Sequence, residues 1–287
     1  MLYHYCTNHT FLSIIESRAI WLSDFTLSND RLEGKWLRNL LVERCERENL
    51  YPALIERALK FFDLGASRLG AAGFCMSEEG DLLSQWRGYA GDGSGVSIGF
   101  SKEYLEALAG ALLAQRSGEA LSLHRIAYSR EDQFNLVESI LNDVVRAVKA
   151  GALDTGSILA PLEGERKVEV DSQFRNLTAS FLSLHLVQYR AKNPAFSEER
   201  EWRLISHVLS YSTEESALGD LSKMNFRAGQ DRLIPYRVLP LGEASLPRIA
   251  EVILGPKNIT PSRYVNAALE RYGWKDVSVR VSAASYR

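Results

Sequence analysis

Glu199, Glu201 and Arg203 recur at a spacing of two within FSEEREWRLIS, residues 196–206. On an extended chain successive side chains alternate faces, so these three share one face, with the carboxylates about 6.6 to 6.8 Å apart along the strand. Arg200, Trp202 and Leu204 then lie behind them, Trp202 and Leu204 anchoring the strand. Two carboxylates at that separation can serve one ligand. Each disfavours ionisation of the other, while Arg203 favours the charged forms and can orient them. The plainer reading of the same residues is a solvated charged strand.

Three other clusters carry polar or aromatic groups. Tyr5 and Thr7 offer a ring and hydroxyls from a first strand, Asn29, Asp30 and Glu33 sit in a loop, and Ser77, Trp86 and Tyr89 can flank a flat ring. Each also has a structural explanation: an aromatic first strand belongs to a core, a polar loop caps a helix, and an aromatic pair at i and i+3 packs. GDGSG, residues 91–95, precedes a strand instead of joining a strand to a helix, and GxxxxGK[ST] and GxSxG are absent. The histidines His4, His9, His124, His185 and His207 form no HExxH pair, and His4 and His9 read as solvated or structural. Cys6, Cys45 and Cys75 show neither CxxC nor zinc spacing, which suggests no disulfide framework and no metal.

The elements that must position these groups read as a mixture of helices and strands. Residues 2–7 suit a strand with Tyr3, Tyr5 and Thr7 on one face and His4 on the other. Thr10 is the expected cap of a helix carrying Phe11, Ile14 and Ile15. Residues 20–23 follow as a strand, then a helix carrying Leu32, Trp36, Leu40 and Leu41, a helix over 52–64 and a strand ending at Ser77. Asp81 suits the cap of a short helix holding Trp86 and Tyr89, followed by a flexible glycine-rich segment, 88–95, and the strand VSIGF, residues 96–100. Helices over 102–115 and 133–150 flank an extended segment, 121–128. Residues 154–170 have no period and read as a loop before a helix over 172–192. The prolines of 234–241 predict an edge strand, 249–254 a buried one, Thr260-Pro261 a helix start, and 277–281 the last strand. No repeat or linker divides the chain, so the expectation is α+β: a single domain, 1–287, with helical insertions and a central mixed or split β-sheet flanked by helices.

Composition narrows the class. With 46% hydrophobic residues among 287, the chain can bury a sizeable core. A formal net charge of -2 shows no global basic excess, so nucleic-acid partners are neither implied nor excluded. The opening residues lack signal-peptide character, and no apolar run approaches the roughly 20 residues of a membrane span. A cytoplasmic protein with no membrane partner is expected.

Taken in order, LYHYCTNHTFLSIIESRAIWLSD, SNDRLE, FCMS, QWRGYAGDGSGVSIGF, EEREWRLI and EVILGPKNIT resemble the bacterial DUF2971 family over nearly the whole chain. The same clusters resemble a divergent ADP-ribosyltransferase fold. In DNA-targeting enzymes of the DarT type, H-x-T on the first strand precedes a helix with N-L-x-x-I-L. Here Thr7, Leu12 and Ile15 match, while Tyr5 stands for the histidine, Phe11 for the asparagine and Glu16 for the last leucine. Glu199-Arg200-Glu201 is similar to the E-x-E motif of arginine-directed transferases.

That resemblance implies NAD as substrate and no metal. Glu201 would be catalytic, and Glu199 would position or deprotonate the acceptor. Tyr5, Thr7, Asn29, Ser77, Trp86, Tyr89 and Arg203 would line the NAD site, with Tyr89 confining the nicotinamide. Cleaving the nicotinamide–ribose bond builds positive charge on the ribose, which a fixed carboxylate stabilises more than it stabilises the substrate. The acceptor would be a macromolecule, nucleic acid or protein. The resemblance extends to a toxin or antiviral effector with an antitoxin or regulatory protein as partner. An alternative on the same fold is a catalytically inactive NAD or nucleotide sensor or a protein-interaction module, which Tyr5 in place of histidine favours.

Overall fold

A computed structural model describes residues 1–27, 34–66, 69–114, 120–154, 162–209, 225–229, 231–242 and 248–286. The chain opens with β1 (Leu2–Cys6), α1 (Asn8–Ser17) and β2 (Ala19–Asp24). Thr7, not Thr10, caps α1, because its Oγ1 accepts from the Thr10 amide at 3.3 Å. Helices α2 (Trp36–Arg47) and α3 (Pro52–Ala66) lead to β3 (Leu69–Ser77), the short α4 (Leu83–Tyr89), β4 (Val96–Phe100) and α5 (Lys102–Ala114). Next come β5 (Ala120–Arg125), α6 (Arg130–Lys149), α7 (Gly164–Val187) and β6 (Glu201–Leu209). The chain closes with β7 (Asn225–Ala228), β8 (Leu233–Pro240), β9 (Ile249–Leu254), α8 (Ser262–Arg271) and β10 (Ser278–Val281).

The strands form one mixed sheet in the order β10-β9-β4-β1-β3-β2-β8-β7, with β6 and β5 branching from β3. Only the β9–β10 pair is parallel among the described strands. Alternation sets the two faces. Leu2, Ile20, Leu22, Phe74, Met76, Ile98 and Leu204 point to one side, where α1, α5 and α8 cover them with Phe11, Ile15, Leu105, Val265 and Leu269. Burying each such side chain stabilises the fold by roughly 1.5–3 kcal/mol. A second core joins α2, α3, α6 and α7 through Leu41, Phe62, Leu141, Val144, Leu177 and Phe181. Phe25, Ala71, Tyr189 and Ile205 pack as a smaller cluster on the opposite face of the sheet.

Several expectations change. Helix α7 begins at Gly164, inside the stretch read as a loop, because Glu165, Arg166, Lys167 and Glu169 are good helix formers whose solvent-facing positions show no apolar period. The edge is β7, not β8: β8 pairs with β2 on one side and β7 on the other, its prolines lying near its ends. The glycine-rich turn before β4 is cross-braced: Gly95 N donates to Ala90 O at 2.8 Å, and Gly95 O accepts from Gly255 N at 3.0 Å and Asn258 Nδ2 at 2.9 Å. Among the described residues no helix is long and apolar enough to cross a membrane.

Candidate active site

β3 pairs with β6 along its whole length, from Leu69↔Leu209 to Ser77↔Glu201. Its other edge is shared, Ala72 and Gly73 going to β2 and Ser77 to β1. Over residues 74–76 that edge has no strand partner among those described, so the sheet splits there. A backbone carbonyl left in such a gap needs a donor. His4 supplies it: Nδ1 lies 2.9 Å from Cys75 O, and the ring stacks on Phe74 at 4.1 Å. Because a carbonyl only accepts, the proton sits on Nδ1 and Nε2 is left as an acceptor. Burial lowers the pKa of His4 to about 4, so the ring is neutral near pH 7.

A cleft of about 490 Å³ opens at the split. Cys75, Glu201 and Arg203 come from its floor strands, Tyr3, Tyr5 and Tyr89 from one side, and Trp21, Phe25 and Arg227 from the other. Gly73 is required on the β2 side, since a Cβ there would fall within the Phe25 ring and 2.9 Å from Leu204 O. The ring so admitted stacks on Tyr189 at 5.1 Å and receives the Arg203 guanidinium at 4.9 Å.

Glu199 and Glu201 reach the cleft differently from an extended pair. Residues Pro194–Glu199 form a 3-10 turn started by Asn193, whose Oδ1 accepts from Ala195 N at 3.0 Å. Arg200 then takes a left-handed φ of 44°, and β6 begins at Glu201. Ser77 holds the turn, its Oγ donating to Glu199 O at 2.7 Å, and Tyr128 OH accepts from Glu201 N at 3.1 Å. The expectation of one continuous strand therefore fails at Arg200. The two carboxylates still converge, but on a cation that spacing within the motif does not disclose.

That cation is Lys192, whose Nζ lies 2.5 Å from Glu199 Oε2 and 3.0 Å from Glu201 Oε2. Arg203 completes a fork on Glu201, Nε to Oε1 at 2.8 Å and NH2 to Oε2 at 3.0 Å, and donates through NH1 to Tyr189 O at 2.9 Å. Glu201, Arg203 and Lys192 retain only 5%, 1% and 6% of their exposure. Burial works against the Glu201 anion, but Arg203 and Lys192 outweigh it and hold the carboxyl at about 2. Burial likewise opposes charge on Lys192, and Glu201 and Glu199 reverse it, raising its pKa. Mutual repulsion of the two acids is thus not the governing effect. The backbone of Lys192 is fixed by Gln133, whose Nε2 donates to Lys192 O at 2.7 Å and Ala127 O at 3.1 Å while Trp36 Nε1 donates to its Oε1.

Of the residues singled out from the sequence, Glu199, Glu201, Arg203, Tyr5 and Tyr89 line the one cleft. Tyr89 OH donates to Glu199 Oε1 at 3.1 Å. Tyr5 has its hydroxyl committed, donating to Glu79 O at 2.7 Å and accepting from Leu82 N at 2.8 Å. Trp86 is fully buried against Tyr5, with its indole donating to Asp81 Oδ1 at 2.7 Å, so it supports α4 beneath the cleft. Ser77 acts through the turn, and Thr7 caps α1 away from the cleft lining. Asn29 lies outside the described residues.

With these groups in place, the matched segment can be located. Residues 85–204 match the family described as "Protein of unknown function (DUF2971)". The DUF2971 match takes in Tyr89, Lys192, Glu199, Glu201 and Arg203, whereas His4, Tyr5 and Cys75 approach from outside it. No curated protein and no solved structure matches the chain.

Sequence reasoning missed Lys192, His4, Cys75, Phe25 and Arg227. For Lys192 the available signal was a lysine between a helix end and Asn-Pro, nine residues before Glu201, which says nothing of burial. For His4 the alternation rule gave the correct face. The split in the sheet is what lets a side chain of that face reach the cleft.

Proposed function

We propose that the protein is an ADP-ribosyltransferase, taking NAD as donor and passing ADP-ribose to a macromolecular acceptor, nucleic acid or protein. The observation that carries this reading is Glu201: an ionised carboxylate, pinned by Arg203 and Lys192 on the floor of a cleft, with a second carboxylate two residues before it. In the proposed reaction the bond from ribose C1′ to the nicotinamide nitrogen breaks, and nicotinamide leaves with the electron pair. Positive charge then develops on the ribose, where a preorganised carboxylate stabilises it without reorganising. The acceptor's lone pair forms the new bond to C1′, and Glu199 takes the acceptor's proton. The neutral His4 Nε2 is suited to accept from a ribose hydroxyl, and the Tyr89 ring to confine the nicotinamide. The toxin or antiviral role, with an antitoxin or regulator as partner, rests on the resemblance of the sequence alone.

Incubation with labelled NAD and a cell lysate tests the reaction. The wild type should transfer label and Glu201→Gln should not, whereas transfer unaffected by that substitution removes the mechanism. Gln takes the Glu201 anion from Arg203 and leaves Lys192 with Glu199, so thermal melting must first show Glu201→Gln folded. Glu199→Gln provides a milder variant, expected to slow transfer to the acceptor more than release of nicotinamide.

A second reading, an NAD or nucleotide sensor on the same fold, is favoured by one observation: both Glu201 oxygens are already engaged by cations. A sensor gains thermal stability with NAD but releases no nicotinamide.

A further inference from the structure

The cleft has two electrostatically different ends. At one, Glu199 and Glu201 are matched by Lys192 and Arg203. At the other, Arg227 of β7 lines the cleft with no acidic partner among the described residues, its NH2 lying 3.4 Å from Ser23 Oγ. The acid nearest in sequence to that wall, Asp24, is turned to Thr26, whose N and Oγ1 each donate to Oδ1 at 2.8 Å. Burial lowers the pKa of Arg227, and its charge in turn disfavours protonation of His4. A guanidinium that lines the cleft with no acid of the described residues against it is free to pair with an anionic group of a ligand. Beside it Trp21 lines the same wall, its ring backed by Tyr236, on which it stacks at 4.3 Å and 27°.

We propose that Arg227 and the Ser23 hydroxyl form a phosphate subsite that takes the diphosphate of a nucleotide ligand, with Trp21 beside its base. This deepens the ADP-ribosyltransferase reading and rests on it for the placement of the ligand's other end at Glu201. Guanidinium is suited to the task because it pairs bidentately with phosphate oxygens and stays charged. A lysine keeps the charge and loses the fork.

Calorimetric titration of the whole chain with ADP-ribose, inorganic pyrophosphate and nicotinamide riboside tests the subsite. All four residues of β7 are exposed, so Arg227→Gln should leave the fold intact, which a melting curve checks. ADP-ribose and pyrophosphate should bind the wild type and lose about tenfold or more in affinity in Arg227→Gln. Arg227→Lys should recover part of the loss, and nicotinamide riboside, which lacks the diphosphate, should bind wild type and variant within about twofold. ADP-ribose affinity unchanged in Arg227→Gln overturns the subsite, as does failure of ADP-ribose and pyrophosphate to bind the wild type. The two levels of the argument fail separately. Loss of pyrophosphate binding in Arg227→Gln, in a protein that neither binds nicotinamide riboside nor releases nicotinamide from NAD, keeps the subsite and removes the transferase.

Discussion

Replacing Lys192 with methionine removes the cation that two carboxylates share while keeping most of the apolar stem that carries it. Nζ sits 2.5 Å from one carboxylate and 3.0 Å from the other, and the Lys192 and Glu201 side chains are each 7% exposed, so water cannot take its place. Breaking a buried ion pair from one side costs roughly 3–5 kcal/mol. Arg203 still forks onto Glu201, which places Lys192→Met at the lower end, about 3 kcal/mol at pH 7. The sign of the pH dependence follows from Glu201. Its carboxyl is held at about 2 in the fold against 4.5 for the free group, because Arg203 and Lys192 overcome the burial that opposes ionisation. A depressed carboxyl stabilises the fold above its unfolded pKa and loses that contribution as pH falls through the folded one. The wild type should therefore shed about 3 kcal/mol between about pH 5 and pH 2. Lys192→Met shortens that shift, so its cost is greatest at pH 7 and shrinks as the carboxylates protonate. Urea unfolding followed by tryptophan fluorescence at about pH 7, 5, 3.5 and 2 measures both. A variant within about 1 kcal/mol of wild type at pH 7, or a cost independent of pH, refutes the reasoning, since buried pairs contribute more than exposed ones.

Two further outcomes follow from the cleft walls. Gly73→Ala drives a methyl into the Phe25 ring with Leu204 O 2.9 Å behind it, so it should cost about 2 kcal/mol or more and weaken ligand binding as Phe25 shifts; a melting temperature equal to wild type contradicts this. Cys75 is the thiol reachable from solvent, Cys6 and Cys45 being buried, and desolvation of the sulfur against the cleft floor, with the Glu201 charge beside it, pushes its pKa well above the usual value. Native protein should thus take one iodoacetamide per chain, slowly at pH 7 and faster as pH rises, and a ligand in the cleft should slow it; rapid labelling at pH 7, or labelling of more than one thiol, is the contrary result.

The parts of the fold legible in the sequence were those written as local periods. Val96–Phe100 and Ile249–Leu254 alternate or run apolar because the sheet is covered there, and α1 shows its buried stripe at Phe11, Ile14 and Ile15. The first turns of α7 were not legible, because a helix segment facing water has nothing to bury and hence no period. Strand β7 was hidden for the same reason, all its residues being exposed. In the site, Glu199, Glu201 and Arg203 stood out because their spacing is local. Lys192 did not, since what makes it part of the cluster is the grip of Gln133 and Ala127 on its backbone, contacts made across sequence separations of 59 and 65 residues. Arg227 escaped notice because an arginine becomes unusual only when the fold sets it against a cleft with no acid of the described residues paired to it.

The charge balance of the cluster constrains how the proposed reaction can be accelerated. Glu199 and Glu201 are matched by Lys192 and Arg203, so the cluster acts through the placement of its charges and not through a net charge. Oxidised nicotinamide is itself cationic in the donor, and bond cleavage moves that charge from the pyridine ring onto the ribose. A carboxylate equally close to both rings would stabilise substrate and transition state alike and give no acceleration. The advantage exists only if the ribose, and not the nicotinamide, lies over Glu201. A grip on the diphosphate at Arg227 would set that register from the far end of the cleft. On this reasoning Arg227→Gln lowers the rate of the chemical step as well as affinity, because a ligand free to slide spends less time with the reacting bond over the carboxylate.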